Sequence, residues 1–179
     1  SGDGSDAITI SGSDAVVIST GLGDDTIVGG SGNDTIIFGG GSNSIDGGGG
    51  TDTLDLSLSA FGLSVDLAGG SLVDGDAALS VLQSIEVVTG SSHDDTIQGS
   101  SVNEHLQGGA GSDTIIGGGG TDTITGGDGD DLLVIDGGAG GTVDGGAGND
   151  SVELVGSTGN TLTLSGVETI TGSVGDDVL

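Results

Sequence analysis

A nine-residue pattern, Gly-Gly-x-Gly-x-Asp-x-U-x with U aliphatic, fills six blocks of the 179-residue chain: 29–37, 47–55, 108–116, 117–125, 126–134 and 145–153. A unit this short holds one glycine-rich turn and one very short strand, so it cannot bury an apolar face alone and must stack on its neighbours. Weaker copies keep the frame. Residues 20–28 and 38–46 complete a run beginning every nine residues, and 1–9 and 11–19 continue it upstream with Ile10 inserted. A second run opens at 90–98 and 99–107 and reaches 153 through 136–144, with Ile135 inserted. Position eight is aliphatic in every block: Ile8, Ile18, Ile27, Ile36, Ile45 and Leu54, then Ile97, Leu106, Ile115, Ile124, Leu133, Val143 and Val152. Strands stacked about 4.8 Å apart turn that position into a continuous core of one aliphatic side chain per rung.

Such a core is thin, and the composition matches it. Glycine supplies 43 residues, Phe38 and Phe61 are the only aromatics, and Pro, Cys, Met, Trp and Tyr are absent. The 28 acidic residues face no Lys or Arg, for a net charge of −28. Nucleic-acid binding needs basic side chains to displace counterions from phosphates, and docking on an anionic membrane needs them as well; both classes are excluded. The acids recur in register with the aliphatic residues, unlike those of a disordered polar tract. Uncompensated carboxylates at this density repel one another in any compact state, so a cation is the missing partner.

The spacing suits Ca²⁺, a hard ion that takes six to eight oxygens from carboxylates and backbone carbonyls. Glycine permits close backbone approach and positive φ, which turns carbonyls toward an ion. Asp at position six presents a short carboxylate just before the strand. A lone Asp-Gly is more simply an Asx turn, but an Asp register of this length without a single base points to metal.

Blocks such as GGSGNDTII, GGAGSDTII and GGGGTDTIT resemble the calcium-binding nonapeptides of the RTX (repeats-in-toxin) family. That resemblance implies an all-β fold, a right-handed parallel β-roll or β-solenoid with two nonapeptides per coil. It also implies Ca²⁺ held between turns two repeats apart by Asp carboxylates and loop carbonyls. In the first array one edge then carries Asp6, Asp25 and Asn43, and the other Val16, Asp34 and Asp52. In the second, one edge carries Asp95, Asp113, Asp131 and Asp150, and the other Glu104, Asp122 and Gly141. Val16 and Gly141 offer no side-chain ligand, Glu104 is one methylene longer than the pattern, and Asp177 opens a third array.

These arrays divide the chain into 1–55, a non-repeat linker at 56–89 that continues the solenoid, 90–153, and a linker with the start of a third array at 154–179. In the first linker 54–59, 63–67 and 84–88 alternate like strands, and 75–84 is expected to form a short helix. SIEVVTGSSHDDTI (84–97) returns as GVETITGSVGDDVL (166–179), an offset of 82. Glu86 and Glu168 therefore occupy equivalent places, read as solvated or turn-satisfying, while His93 and His105 read as surface side chains in repeat loops.

The expected function is a calcium-dependent structural segment of a secreted or cell-surface bacterial protein: an adhesin, S-layer protein or extracellular filament. It would fold outside the cell and stack head-to-tail through its solenoid ends. The alternative is a non-catalytic RTX module of a secreted epimerase, lipase or protease. Neither His-Glu-x-x-His nor Gly-x-Ser-x-Gly occurs in the sequence, so the chain is not expected to be an enzyme.

Overall fold

A computed structural model describes residues 2–136, 140–156 and 161–172. The first array supplies β1 (Ala7–Thr9), β2 (Val17–Ser19), β3 (Thr26–Val28), β4 (Thr35–Ile37), β5 (Ser44–Asp46) and β6 (Thr53–Asp55). The first linker supplies β7 (Ser64–Asp66), β8 (Ser71–Val73), β9 (Leu79–Gln83) and β10 (Val87–Thr89). There follow β11 (Thr96–Gln98), β12 (His105–Ala110), β13 (Thr114–Ile116), β14 (Thr121–Asp128) and β15 (Leu132–Asp136). The chain continues through β16 (Gly140–Ala147), β17 (Ser151–Val155), β18 (Leu162–Ser165) and β19 (Thr169–Thr171). The described residues contain no helix.

Successive repeats alternate between two stacked sheets. The longer has eleven strands in the order β1-β3-β5-β9-β8-β7-β11-β13-β15-β17-β19, and the shorter has eight, β18-β16-β14-β12-β10-β6-β4-β2. Within the repeats pairing is parallel and in register, position eight on position eight: Ile27 on Ile45, Ile36 on Leu54, Ile97 on Ile115, Leu106 on Ile124. The coil is thus 18 residues, two nonapeptides, as the resemblance implies. Each inserted isoleucine lengthens its coil to 19, seen in Ala7 on Thr26 and Leu132 on Ser151. The architecture is the all-β parallel β-roll expected.

The core is the predicted aliphatic file. Ile27, Ile36, Ile45, Leu54, Ile97, Leu106, Ile115, Ile124 and Leu133 are fully buried, and residues seven and nine of most repeats lie on the outer faces. Three-residue strands suffice because each needs to bury only its middle side chain, and the coils above and below satisfy its backbone groups.

The linker departs from two expectations. Residues 75–84 contain no helix: Leu79–Gln83 is β9, with Ser80 and Leu82 pointing inward and Leu79, Val81 and Gln83 outward. That burial has a period of two, and the inward pair closes the core over Ile45. The alternation at 54–59 also ends sooner, because Asp55 Oδ1 accepts the Ser57 N–H and turns the chain immediately after β6. Moreover, β8 pairs antiparallel with both β7 and β9, so this segment places three strands in the long sheet while β6 and β10 sit side by side in the short one.

Candidate metal centre

Each position-six residue ends its turn and faces the same residue one coil away. Along the turns that lead into the long sheet, Asp25 Oδ1 accepts the Asp6 N–H at 2.8 Å and Asn43 Oδ1 accepts the Asp25 N–H at 2.8 Å. After the linker, Asp113 Oδ1 accepts from Asp95 (2.7 Å), Asp131 from Asp113 (2.8 Å) and Asp150 from Asp131 (2.9 Å). Along the opposite edge, Asp34 Oδ1 accepts from Val16 (3.0 Å), Asp52 from Asp34 (2.7 Å) and Asp122 from Glu104 (3.0 Å). One carboxylate oxygen per rung is thereby spent on the main chain of the neighbouring coil, which fixes the side chain before any ion arrives. Asp6, at the outermost coil, is only half-buried; Gly141, lacking a side chain, pairs through its backbone with Asp122. Asp177 lies outside the described residues.

The second oxygen is the informative one. Asp34 Oδ2 accepts the Gly30 N–H (2.9 Å) and Asp95 Oδ2 the Ser91 N–H (2.6 Å), both from their own turns. In contrast, Oδ2 of Asp25, Asp52, Asp113, Asp131 and Asp150 and Oε2 of Glu104 are buried with no hydrogen-bond partner. Burying an ionised oxygen without a donor is among the costliest arrangements in a protein unless a cation lies beside it. Burial, the largest effect, raises the pKa values of Asp52, Glu104, Asp122 and Asp131, and it pushes that of Asp113 up to about 7, with repulsion from Asp95 and Asp131 adding to it.

The turns leave room for oxygens only. A Cβ built on Gly29 would lie 1.9 Å from Gly47 O and 2.8 Å from Asp34 Oδ2; one on Gly126 would lie 2.2 Å from Asp131 Oδ2 and 2.5 Å from Gly145 O. In the 47–52 turn Gly48 and Gly50 take φ of 98° and 121°, which reverses the chain twice within four residues. Among the described residues no three His, Cys, Asp or Glu side chains converge on one point. An ion here must therefore draw on main-chain carbonyls as well as on two carboxylates, which suits a cation that accepts both kinds of oxygen and disfavours one that requires nitrogen or sulfur.

Asn43 marks the place from the opposite direction. Its Nδ2 donates to Gly40 O (3.0 Å) and Gly41 O (3.3 Å) of its own turn. A positive amide edge fills the station where other repeats put a second carboxylate oxygen, so the turn carbonyls converge on something electropositive. The donor set fits Ca²⁺.

The family model for the RTX calcium-binding nonapeptide repeat, four copies long, matches residues 10–36, 39–58 and 98–133. The chain carries RTX calcium-binding repeats. No curated protein matches it in a sequence search. Calcium is the ion that RTX nonapeptides bind, and the residues that would hold it here are the position-six acids together with the carbonyls of their glycine turns.

Three features of these RTX columns were not legible in the repeat frame. Glu86 Oε2 accepts the Asp52 N–H at 2.9 Å and Glu168 Oε2 the Asp150 N–H at 2.8 Å, so both linker acids join columns. The short-sheet edge consequently carries an acid in each coil from Asp34 through Asp52, Glu86 and Glu104 to Asp122, with Glu86 joined to the Glu104 coil through its carbonyl, which accepts the His105 N–H at 2.9 Å, whereas the long-sheet edge is interrupted by the linker. There Ser80 Oγ takes the Asn43 N–H and Asp95 Oδ1 takes that of Leu63. A second ladder runs at position five in the reverse sense, where Asp24, Asn33, Asp94, Asn103 and Asp130 accept N–H groups one coil further on at 2.8–2.9 Å. The frequency of Asp and Asn at that position was its signal. His93 and His105 are exposed.

Proposed function

We propose that this segment is a calcium-dependent structural rod of a secreted or cell-surface bacterial protein, an adhesin, surface-layer protein or extracellular filament. The observation that carries the reading is the set of six buried acidic oxygens without donors. In calcium-poor cytosol those acids and the net charge of −28 oppose compaction, and an extended chain passes through a secretion channel. Outside, millimolar Ca²⁺ neutralises the columns and the coils close on their aliphatic file; extracellular calcium modules work in that concentration range. The chain itself is non-catalytic on this reading, and it associates head-to-tail through exposed strand edges, which invite pairing.

Circular dichroism during a calcium titration, paired with sedimentation velocity, tests folding and assembly separately. The expected result is a disordered spectrum in chelator, a β spectrum in millimolar calcium, and association only after folding. A β spectrum indifferent to chelation would refute the reading. Tryptophan and tyrosine are absent, so intrinsic fluorescence cannot substitute for these measurements.

A further inference from the structure

Two short turns recur 82 residues apart with the same geometry, on opposite edges of the roll. Residues 84–86 join β9 to β10, and 166–168 join β18 to β19, three residues each where the 47–52 turn uses six. Each begins with a left-handed residue, Ser84 at φ 52° and Gly166 at φ 57°. Each ends in Glu, whose N–H and that of the next residue both donate to the carbonyl of the preceding coil's Asp: Glu86 (3.2 Å) and Val87 (3.0 Å) to Asp52 O, Glu168 and Thr169 (both 3.0 Å) to Asp150 O. The Glu carboxylate then takes the Asp N–H through Oε2. The extra methylene thus makes up for a turn cut by half, and Glu stands at the Asp station of the column.

The facing acids bring the second observation. Asp52 and Asp150 are each 0% exposed, and Oδ2 of each is orphaned. A Cβ on Gly47 would meet Ser84 O at 2.1 Å and Asp52 Oδ2 at 2.7 Å; one on Gly145 would meet Gly166 O at 1.8 Å and Asp150 Oδ2 at 2.8 Å. The left-handed residue therefore brings its carbonyl beside the donorless oxygen in both copies. A non-glycine residue at positive φ, as at Ser84, is strained and persists only where its surroundings hold it, so the orientation of that carbonyl is enforced. Beside Glu86 the shortened turn leaves a cavity of about 180 Å³ lined by Ser84, Glu86, Ser100 and Val102, enough for waters to complete a coordination shell.

We propose that each Glu turn forms a further calcium site, one shared by Asp52 and Glu86 and one by Asp150 and Glu168. The Glu carboxylate and a single left-handed carbonyl replace a second nonapeptide loop, so these sites are more hydrated and weaker than those between two full repeats. They close one array and bind it to the segment that follows. This rests on the calcium-dependent reading above.

Calcium counted by native mass spectrometry and equilibrium dialysis, alongside circular dichroism, tests it on Glu86→Gln, Glu168→Gln and the double variant. Glutamine keeps an oxygen acceptor for the Asp N–H but removes the charge. One ion fewer is expected for each single variant and two fewer for the double, with the β spectrum retained at saturating calcium; exposed Asp76→Asn, a control for net charge, keeps the full count. A variant whose folding midpoint moves to at least tenfold higher calcium also supports the sites. An unchanged count and midpoint overturns them. Wild-type chain that binds no calcium sinks the structural reading instead, which separates the two failures.

Discussion

At the residue scale, glycine and aspartate divide the work of each turn. Position-one glycines have no room for a side chain: Ala at Gly29 would put its Cβ 1.9 Å from Gly47 O, whereas at Gly49 the nearest atom, Ser31 Cα, is 3.8 Å away. In saturating calcium, denaturant unfolding is expected to show Gly29→Ala destabilised by about 1–3 kcal/mol, the usual cost of overpacking. Gly49→Ala is expected to be neutral or stabilised by up to about 1 kcal/mol, through the lower entropy of its unfolded chain. Equal losses at both positions would count against close coil approach as the reason for glycine. Asn43 gives a second test. Asn43→Asp deletes the amide donor that satisfies Gly40 O and Gly41 O and supplies an anionic oxygen. It should add one bound calcium to the Asp25 rung and raise the calcium concentration needed for folding of that end; a count identical to wild type would show that the turn carbonyls do not face an ion site.

Among the elements, the linker differs most from the repeats. The β7-β8-β9 meander puts three strands into one sheet where the repeat alternation would put one, roughly 10 Å of extra length on that face at the strand spacing. Leu72 of β8 is fully buried between neighbours of opposite direction, with Val65 and Leu82 packed in the same core. Leu72→Ala should cost about 2–5 kcal/mol, the range for a large aliphatic truncated in a closed core. Thermal unfolding in saturating calcium reads this, and a loss below about 1 kcal/mol would mean that the meander is not part of the cooperative unit. The strand at 79–83 is not legible locally because a run such as AALSVLQS suits a helix by propensity; the open sheet edges beside it and the burial of Ser80 and Leu82 decide otherwise.

For the whole molecule, protons and calcium compete for the same columns. Burial raises the folded-state values of Asp52, Glu104, Asp122 and Asp131, and takes Asp113 from 3.8 to about 7. A carboxyl whose value is higher folded than unfolded binds protons in the folded state, so its stabilisation is fully present below about pH 4 and lost as pH rises through the folded value. Metal-stripped protein should therefore hold more β structure at pH 5 than at pH 8 by circular dichroism. Calcium, which must displace those protons, should reach its folding midpoint at a higher concentration at the lower pH, with proton release visible by calorimetry in buffers of different ionisation enthalpy. A midpoint independent of pH between 5 and 8 would show that the buried acids are not the ligands.

The sequence by itself determined the rung, its aliphatic centre, the acidic station at position six and the need for a cation, because a nine-residue period leaves one way to bury one side chain per strand. It also grouped the position-six residues into two edges once the coil length was supplied by resemblance. Only the tertiary structure decided how the arrays join. Glu86 and Glu168 are separated from their partners Asp52 and Asp150 by 34 and 18 residues, and the irregular first spacing hides a regular stacking in space. Whether a carboxylate oxygen finds a donor or is left bare depends on the coil next to it, and no local pattern specifies that neighbour.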